Sequence, residues 1–565
     1  MGSSHRTRHR KLSLVFKKVK PQLSRRGFLR FTAGAAATAP LLSACGSGSS
    51  SSTKPDAKPI AEPGSIQFAH GVASGDPMAD RVIIWTRITP ESEAPTAVDW
   101  EVSGSPDFSS VVRKGYSVTN ADRDYTVKVD VDGLHSYTTY YYRFIAAGAT
   151  SPVGRTKTAP RASEANRLRF AVVACSNYAY GYFNAYGAIA KRRDLDAVIH
   201  LGDYIYETAG SSVSTPALVP GREHFPAKEI VTLEDYRQRY AQYRTDPDLQ
   251  EAHRQHPFIN VWDDHESTNN SYQDGAKNHD DNEGSWEQRK GRAARAYFEW
   301  IPIRDNQDTR FDAEGGDGLD PEGNGSIQRV LRYGDLVKLI MLDTRLAGRS
   351  LQNGTDIVSP EQTILGAEQR EWFLKELRSS DASWTVIGQQ MTFAPLKVVP
   401  LPEDQGAVYF SEDSWDGYRY DRHAVMDEIE QQALNNVVFL SGDSHVVTAF
   451  DLPRDPHVDY NPFTGEGSLA VEFSCNAIAN PGIVSELAML TNPHLKYANL
   501  LLQGYLLMDI DEQRAQGEYF YTGLPFVRSA LETFGMTLYT KRDGNHLIPS
   551  LNASDEREDA ANLAP

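Results

Sequence analysis

Short apolar runs that break off at glycine or at acidic side chains recur along this chain. Val437-Val438-Phe439-Leu440 runs into Ser441-Gly442-Asp443-Ser444-His445. Ala197-Val198-Ile199-His200-Leu201 runs into Gly202-Asp203 and then Tyr204-Ile205-Tyr206, and Phe258-Ile259-Asn260-Val261-Trp262 into Asp263-Asp264-His265-Glu266. A fourth run, Leu168 to Ala174, ends at Cys175-Ser176-Asn177. Apolar runs of this length predict buried strands, and a glycine at the end frees the backbone to turn. In open α/β sheets the carboxyl edge of the strands is where ligands sit. Several strands that empty carboxylates and imidazoles onto one rim form the pattern of a metal site.

Around these strands the periodicity changes. Residues 231–252 and 285–300 carry apolar positions at three- and four-residue spacing and predict helices. The Ser-, Pro- and Gly-rich 209–230 stretch reads as a surface loop over the site. Residues 65–158 differ: short alternating segments such as Tyr125–Val131 and Thr139–Phe144, with Asp-Gly and Ala-Gly turns nearby, predict half-buried antiparallel strands. That spacing suggests a β-sandwich of fibronectin type III or immunoglobulin kind, its Tyr and Trp residues in the core. Residues 160–166 read as a linker, 167–525 as a catalytic α/β domain, and 526–565 as a tail that starts helical and ends polar, acidic and disordered.

Charge sharpens the picture at the N-terminus. The first 44 residues hold ten Lys and Arg and no Asp or Glu, so the formal charge of −17 becomes −27 on the remainder. A body that acidic excludes a nucleic-acid groove, which needs Lys and Arg against phosphates. Within the leader, Ser24-Arg25-Arg26-Gly27-Phe28-Leu29 precedes an Ala-rich run too short to span a bilayer. Residues 1–44 are therefore similar to a twin-arginine export signal, with the twin-arginine machinery as partner. Leu41-Leu42-Ser43-Ala44-Cys45 resembles a lipobox, and 45–64 suits a flexible tether. Either Cys45 is acylated and the protein sits on the outer face of the cytoplasmic membrane, or ordinary cleavage secretes it. Three cysteines, Cys45, Cys175 and Cys475, do not make a disulfide scaffold. Cys475 and His200 sit inside apolar runs and read as core.

The order of the strand-end motifs resembles the calcineurin-like metallophosphoesterases, and Gly202-Asp203-Tyr204-Ile205-Tyr206 is similar to the purple acid phosphatases, where a tyrosinate binds Fe(III). Cys175 in place of the first Asp, Asp263-Asp264-His265-Glu266 in place of Gly-Asn-His-Glu, and Gly442-Asp443-Ser444-His445 in place of Gly-His-x-His narrow this further. The combination resembles the alkaline phosphatase D family of exported phosphodiesterases and phosphomonoesterases, over roughly residues 64–525. Phe298–Arg304, Met341-Leu342-Asp343-Thr344-Arg345 and Ser414-Trp415-Asp416-Gly417-Tyr418 support the match, with Arg345 and Trp415 read as substrate contacts or as structural. The resemblance implies an α/β (α+β) calcineurin-like metallophosphoesterase β-sandwich flanked by helices, preceded by the small all-β fibronectin III-like domain.

It also implies two kinds of ion. Thiolate, phenolate, carboxylate and imidazole suit Fe(3+), so Cys175, Asp203, Tyr206 and His445 are its expected ligands. Asp203 as a bridge, Asp443 and an oxygen from either Asp264 or Asn270 suit Ca(2+), which prefers oxygen. His265 is expected to protonate the leaving group or to stabilise the phosphoryl oxygens, with Asp264 orienting it. The implied reaction is hydrolysis of phosphomonoesters and phosphodiesters by a metal-bridging hydroxide, on a small molecule, a cell-wall polymer or a phospholipid head group. A phospholipase D or teichoic-acid phosphodiesterase is the alternative enzyme, and a lipid-anchored binding module the non-enzymatic one.

Overall fold

Along Val337–Met341 successive side chains enter different cores. Val337, Leu339 and Met341 pack between two sheets, whereas Ile340 and the following Leu342 pack outward beneath helices. The same alternation separates Val438 and Leu440 from Phe439, and Val471 and Phe473 from Ala470. A strand covered on both faces is apolar at most positions, which is why its sequence shows no regular polar alternation, and the exception along Val337–Met341, Lys338, donates to Glu376 O at 2.6 Å. The computed structural model describes residues 66–91, 93–212, 215–305, 326–352, 357–482 and 490–565. The expected leader and tether lie outside them.

The N-terminal region is all β, as its alternation predicts. Its strands are β1 (Val72–Gly75), β2 (Val82–Arg87), β3 (Thr96–Ser103), β4 (Val111–Thr119), β5 (Thr126–Val131), β6 (Thr139–Ala146) and β7 (Gly154–Lys157). One sheet runs β7-β6-β3-β4, and β1, β2 and β5 form the facing layer. Tyr140, Tyr142, Phe144 and Ala146 of β6 point into the core between them.

The remaining strands are β8 (Arg167–Ser176), β9 (Ala197–His200), β10 (Pro257–Asn260), β11 (Arg329–Tyr333), β12 (Val337–Met341), β13 (Trp384–Gly388), β14 (Val437–Ser441), β15 (Val447–Pro453), β16 (Ser468–Ser474), β17 (Ala477–Ala479), β18 (Leu495–Asn499), β19 (Gly504–Asp511), β20 (Arg514–Thr522), β21 (Glu532–Lys541) and β22 (Ile548–Ser550). They build a sheet ordered β22-β21-β20-β19-β8-β9-β10-β1-β2-β5 and a second ordered β11-β12-β13-β14-β16-β15-β18. In the first, β8, β9, β10 and β1 are parallel. In the second, β12, β13, β14 and β16 are parallel. The two sheets face each other across the main core, and helices α1 (Gly366–Arg378) and α2 (Arg419–Gln431) cover the outer face of the second.

The expected helix over 285–300 forms, whereas the one expected over 231–252 is broken at residues 244–246 into two, and each helix has an identifiable start. Residues 233–243 begin on a Thr232/Asp235 capping box, 247–255 on Asp246 followed by Pro247, and 286–300 on Ser285. The β1–β10 pairing makes the facing layer of the N-terminal region continuous with the large sheet, with Phe258 opposite Gly75.

Two expectations for the C-terminal segment are corrected. It does not open as a helix: Phe534, Met536 and Leu538 recur every second residue and pack on the main core from strand β21. Its end is held rather than loose. Arg557 pairs with Asp196, and the Ala564 N–H donates to Gln255 at 2.8 Å. Those partners precede β9 and β10, so the segment runs along the amino ends of the parallel strands, away from the carboxyl ends that carry the candidate site. No helix among the described residues is long and apolar enough to cross a membrane.

Candidate active site

Each chemistry-bearing side chain leaves the carboxyl end of a parallel strand, and the two sheets aim those ends at each other. Cys175 ends β8, Asp203 and Tyr206 follow β9, Asp263 to His265 follow β10, and Asp443 and His445 follow β14. The strand ends are tied: Cys175 donates its N–H to Gly202 O at 3.1 Å, Ser176 to Asp203 O at 2.9 Å, and Gly442 to Gln390 O at 2.7 Å. Gly202 has φ +108, and a Cβ there would lie 2.5 Å from the Cβ of Asp263. Cys175, Asp203, Asp443 and His445 all take left-handed backbone, with φ between +58 and +60. Such conformations cost of order 1–3 kcal/mol each and persist where the surroundings over-determine them, commonly at functional sites.

Cys175, Asp203 and His445 offer donor atoms within 4.8 Å of one another. Tyr206 joins them, its hydroxyl donating to Asp203 Oδ2 at 2.7 Å and lying 3.2 Å from His445 Nε2. His445 Nδ1 lies 2.8 Å from the Pro481 carbonyl. A carbonyl only accepts, so Nδ1 carries the proton and Nε2 turns its lone pair inward. Burial, reinforced by Asp203, pushes the Cys175 thiol and the Tyr206 phenol well above their usual ranges. Burial also raises the Asp203 carboxyl, but His265 and His445 outweigh it and hold that group well below the ordinary carboxylate range. Asp203 Oδ1 is buried without a hydrogen-bond partner. An unshared carboxylate oxygen beside a thiol, a phenol and an inward imidazole lone pair fits a highly charged cation, which would ionise the thiol and the phenol.

A second group, Asp263, Asp264 and Asp443, also gathers within 4.8 Å, and Asp203, Asp264 and His265 form a third. Burial pushes the Asp263 carboxyl well up; Arg345 opposes this, and Asp264, Asp203 and Asp443 add to it. Asp443 is pushed up to about 6 by burial and by its acidic neighbours, again against Arg345. Carboxylates this crowded favour a hard cation. Of the two residues held open for this side, Asp264 offers a carboxylate in both groups, whereas Asn270 meets Asp264 through its backbone N–H at 2.6 Å.

The group that orients His265 is not the expected one. Its Nδ1 lies 2.6 Å from Glu207 Oε2, while Asp264 accepts the His265 backbone N–H at 3.1 Å. The partner of His265 comes from the neighbouring strand end. The imidazole lies over the Tyr206 ring at 4.2 Å between centroids. Glu207 also accepts from the Asn269 N–H, which fixes the loop after His265.

Four further residues complete the site, of which only Arg345 carries an expectation from the sequence. Glu266 accepts backbone N–H groups from Asp203, Tyr204 and Asp263 and so couples the ends of β9 and β10. Asn480 donates to Tyr206 Oη at 2.8 Å and reaches His445 Nε2 at 3.1 Å. Arg345, fully buried, points at Asp263, Asp264, Asp413 and Asp443, and Asp413 also pairs with Arg349. Glu207 and Glu266 each adjoin a recognised motif, which was the available signal. Asn480 and Asp413 had none. Arg345, left between substrate contact and structure, lies among carboxylates. Trp415 is buried and donates to Gln389 at 3.1 Å, His200 is bonded to Tyr186 at 2.9 Å, and Cys475 is a core thiol pushed up to about 12 by burial.

Comparison with known proteins places this arrangement. A family profile described as PhoD-like phosphatase matches residues 170–519, and one described as the N-terminal domain of PhoD-like phosphatase matches residues 52–160. The chain is 35% identical over 503 residues to alkaline phosphatase D of Bacillus subtilis (strain 168), covering 84% of this chain and 81% of that protein. A solved structure described as that of PhoD superposes with a TM-score of 0.77 at 31% identity, covering 88% of this chain and 94% of the other.

Proposed function

The chain belongs to the PhoD-like phosphatase family and is a phosphoric ester hydrolase, and we propose that it hydrolyses phosphomonoesters and phosphodiesters with two kinds of metal ion held between its sheets. Cys175, Asp203, Tyr206 and His445 would hold Fe(3+). Asp203, Asp443 and an oxygen of Asp264 or Asn270 would hold Ca(2+). The observation that carries this reading is Asp203, whose carboxylate belongs at once to the thiol-imidazole group and to the group it forms with Asp264 and His265. When bound, the ions supply Lewis acidity toward the phosphoryl oxygens and acidify a water.

The protein groups do the rest. His265, oriented by Glu207 and kept charged by its acidic neighbours, is placed to donate a proton to the departing alcohol. Glu266 holds the Asp203 and Asp263 strand ends in register so that the carboxylates stay convergent. Two strand-end serines support direct attack by water, since Ser176 donates to Tyr204 O and Ser444 Oγ meets no base, and Ser441 is fully buried. Inversion at phosphorus in a single turnover is the expected outcome; retention overturns direct attack.

The facing sheets with convergent strand ends support a calcineurin-like metallophosphoesterase core. Ser24 to Cys45 supports export by the twin-arginine route, followed by lipid anchoring or secretion. Elemental analysis of the exported protein beside Cys175→Ala tests the ligand set. Iron is expected in the parent and a marked loss in the variant; unchanged iron overturns the assignment, and a parent with neither iron nor calcium revives the binding-module reading. Side-by-side rates on a monoester, a bis-aryl diester and phosphatidylcholine separate the broad phosphatase from a phospholipase D.

A further inference from the structure

The acidic half of the site already contains a fixed cation. Arg345 is fully buried, and each part of its guanidinium is directed at a carboxylate: Nε at Asp263 Oδ1 (2.5 Å), Nη1 at Asp413 Oδ2 (3.0 Å), Nη2 at Asp443 Oδ1 (3.3 Å) and at Asp264 Oδ1 (3.6 Å). The turn that carries it is rigid. Asp343 Oδ1 accepts the N–H groups of Arg345 and Leu346 at 2.9 and 2.8 Å, Gln369 donates to Asp343 O at 2.7 Å, and Thr344 donates its hydroxyl to Gln390 at 2.7 Å. With each of its nitrogens bonded to an acidic group and no exposed surface, Arg345 is not presented to a phosphate. It acts on the carboxylates.

The contacts are unequal, and the inequality sorts the acids. Asp263 is gripped through Oδ1 while its buried Oδ2 has no hydrogen-bond partner, and Asp413 is shared with Arg349. Asp264 and Asp443 meet the guanidinium only at its edge, and both Asp264 oxygens also accept backbone N–H groups. We propose that Arg345 is a positioning residue that takes the place of one cation in the acidic cluster, holding Asp263 through Oδ1 and so limiting the number of calcium ions that Asp263, Asp264 and Asp443 together admit. A planar fork with several fixed donors can hold these acids at set directions, and a lysine ammonium cannot. The inference rests on the two-ion reading but concerns how many cations the acidic side admits.

Calcium chloride is the probe. Wild type, Arg345→Gln, Arg345→Lys and Asp263→Asn are stripped with chelator, dialysed against calcium, and assayed for bound calcium per chain and for thermal midpoint with and without calcium. Arg345→Gln is expected to bind one more calcium than wild type and to show a larger calcium-dependent rise in midpoint. Arg345→Lys should keep the wild-type number while kcat falls with little change in KM, because charge is restored without the fork. Asp263→Asn should bind no more calcium than wild type, because the Arg345 cation stays in place. Equal stoichiometry in Arg345→Gln and wild type overturns the proposal, and so does calcium gained by Asp263→Asn, which also decides the matter if Arg345→Gln fails to fold. A wild type that binds no calcium defeats the calcium reading itself. Even then, calcium gained by Arg345→Gln supports the cation role of Arg345, and none gained overturns it.

Discussion

Glu207 holds His265 through a 2.6 Å contact to Nδ1, and the two come from different strand ends of the same sheet. The carboxylate is completely buried and keeps the ring above Tyr206. Glu207→Ala should therefore lower kcat by about 10²-fold, within the 10²–10⁴ range of a positioned proton donor, with iron and calcium content unchanged. His265→Ala sets the ceiling of the effect. Full kcat in Glu207→Ala beside a crippled His265→Ala would show that the ring needs no partner.

Glu266 touches no candidate metal position, yet accepts three backbone N–H groups from two strand ends. Removing it leaves buried donors unpaired at about 1–3 kcal/mol each. Glu266→Ala should lose several kcal/mol of stability in denaturant titration and also bind iron more weakly, because Asp203 loses its support. A variant destabilised but with normal iron affinity would separate the clamp from the site.

Gly202 has no substitute. A Cβ would meet Asp263 at 2.5 Å on a backbone already at φ +108. Left-handed strain of about 1–2 kcal/mol adds to an overpacking cost of about 1–3 kcal/mol. Gly202→Ala should lose activity and melt earlier than the parent, while Gly221→Ala, also at positive φ but with nothing within 4 Å of its Cβ, should cost only the backbone strain and keep activity. Equal losses in the two variants would remove the steric argument.

Asp203, Asp263, Asp264 and Asp443 are mutually repulsive, so cations that bind them bind the folded state alone. Free ligand at 100 times its Kd adds about 2.7 kcal/mol. Chelator should lower the thermal midpoint, and stepwise calcium should restore it along a saturating curve. A midpoint indifferent to chelator and calcium together would contradict ion binding at the acidic cluster.

What the sequence disclosed follows from locality. An apolar run that stops at glycine is a local signal, so the ends bearing Cys175, Asp203, Asp263 and Asp443 could be read directly. Which ends meet depends on strand order. Arg345 follows Met341-Leu342-Asp343 at the end of β12, yet its partner Asp443 lies at the end of β14, 98 residues on, and only the β12-β13-β14 order brings them together. Asn480 and Asp413 are silent for the same reason. In the C-terminal segment, a helical reading prevailed over a two-residue spacing of Phe534, Met536 and Leu538 that is weak beside neighbouring polar residues.

The N-terminal region is tied to the large sheet by more than proximity. Phe258 of β10 pairs with Gly75 of β1, Arg329 pairs with Asp76 at 2.7 Å, and Trp85, fully buried, donates to Glu299 O at 2.8 Å. Deleting residues 66–158 would leave the edge of β10 with unpaired N–H and C=O groups next to the Asp263–His265 strand end, and open sheet edges invite aggregation. The shortened chain from residue 160 should be insoluble, or soluble without cooperative melting and without phosphatase activity. In the full chain, Trp85→Ala should cost about 3–5 kcal/mol by cavity formation alone. A soluble, fully active fragment from residue 160 with the parent's thermal midpoint would mean that β10 does not need its neighbour.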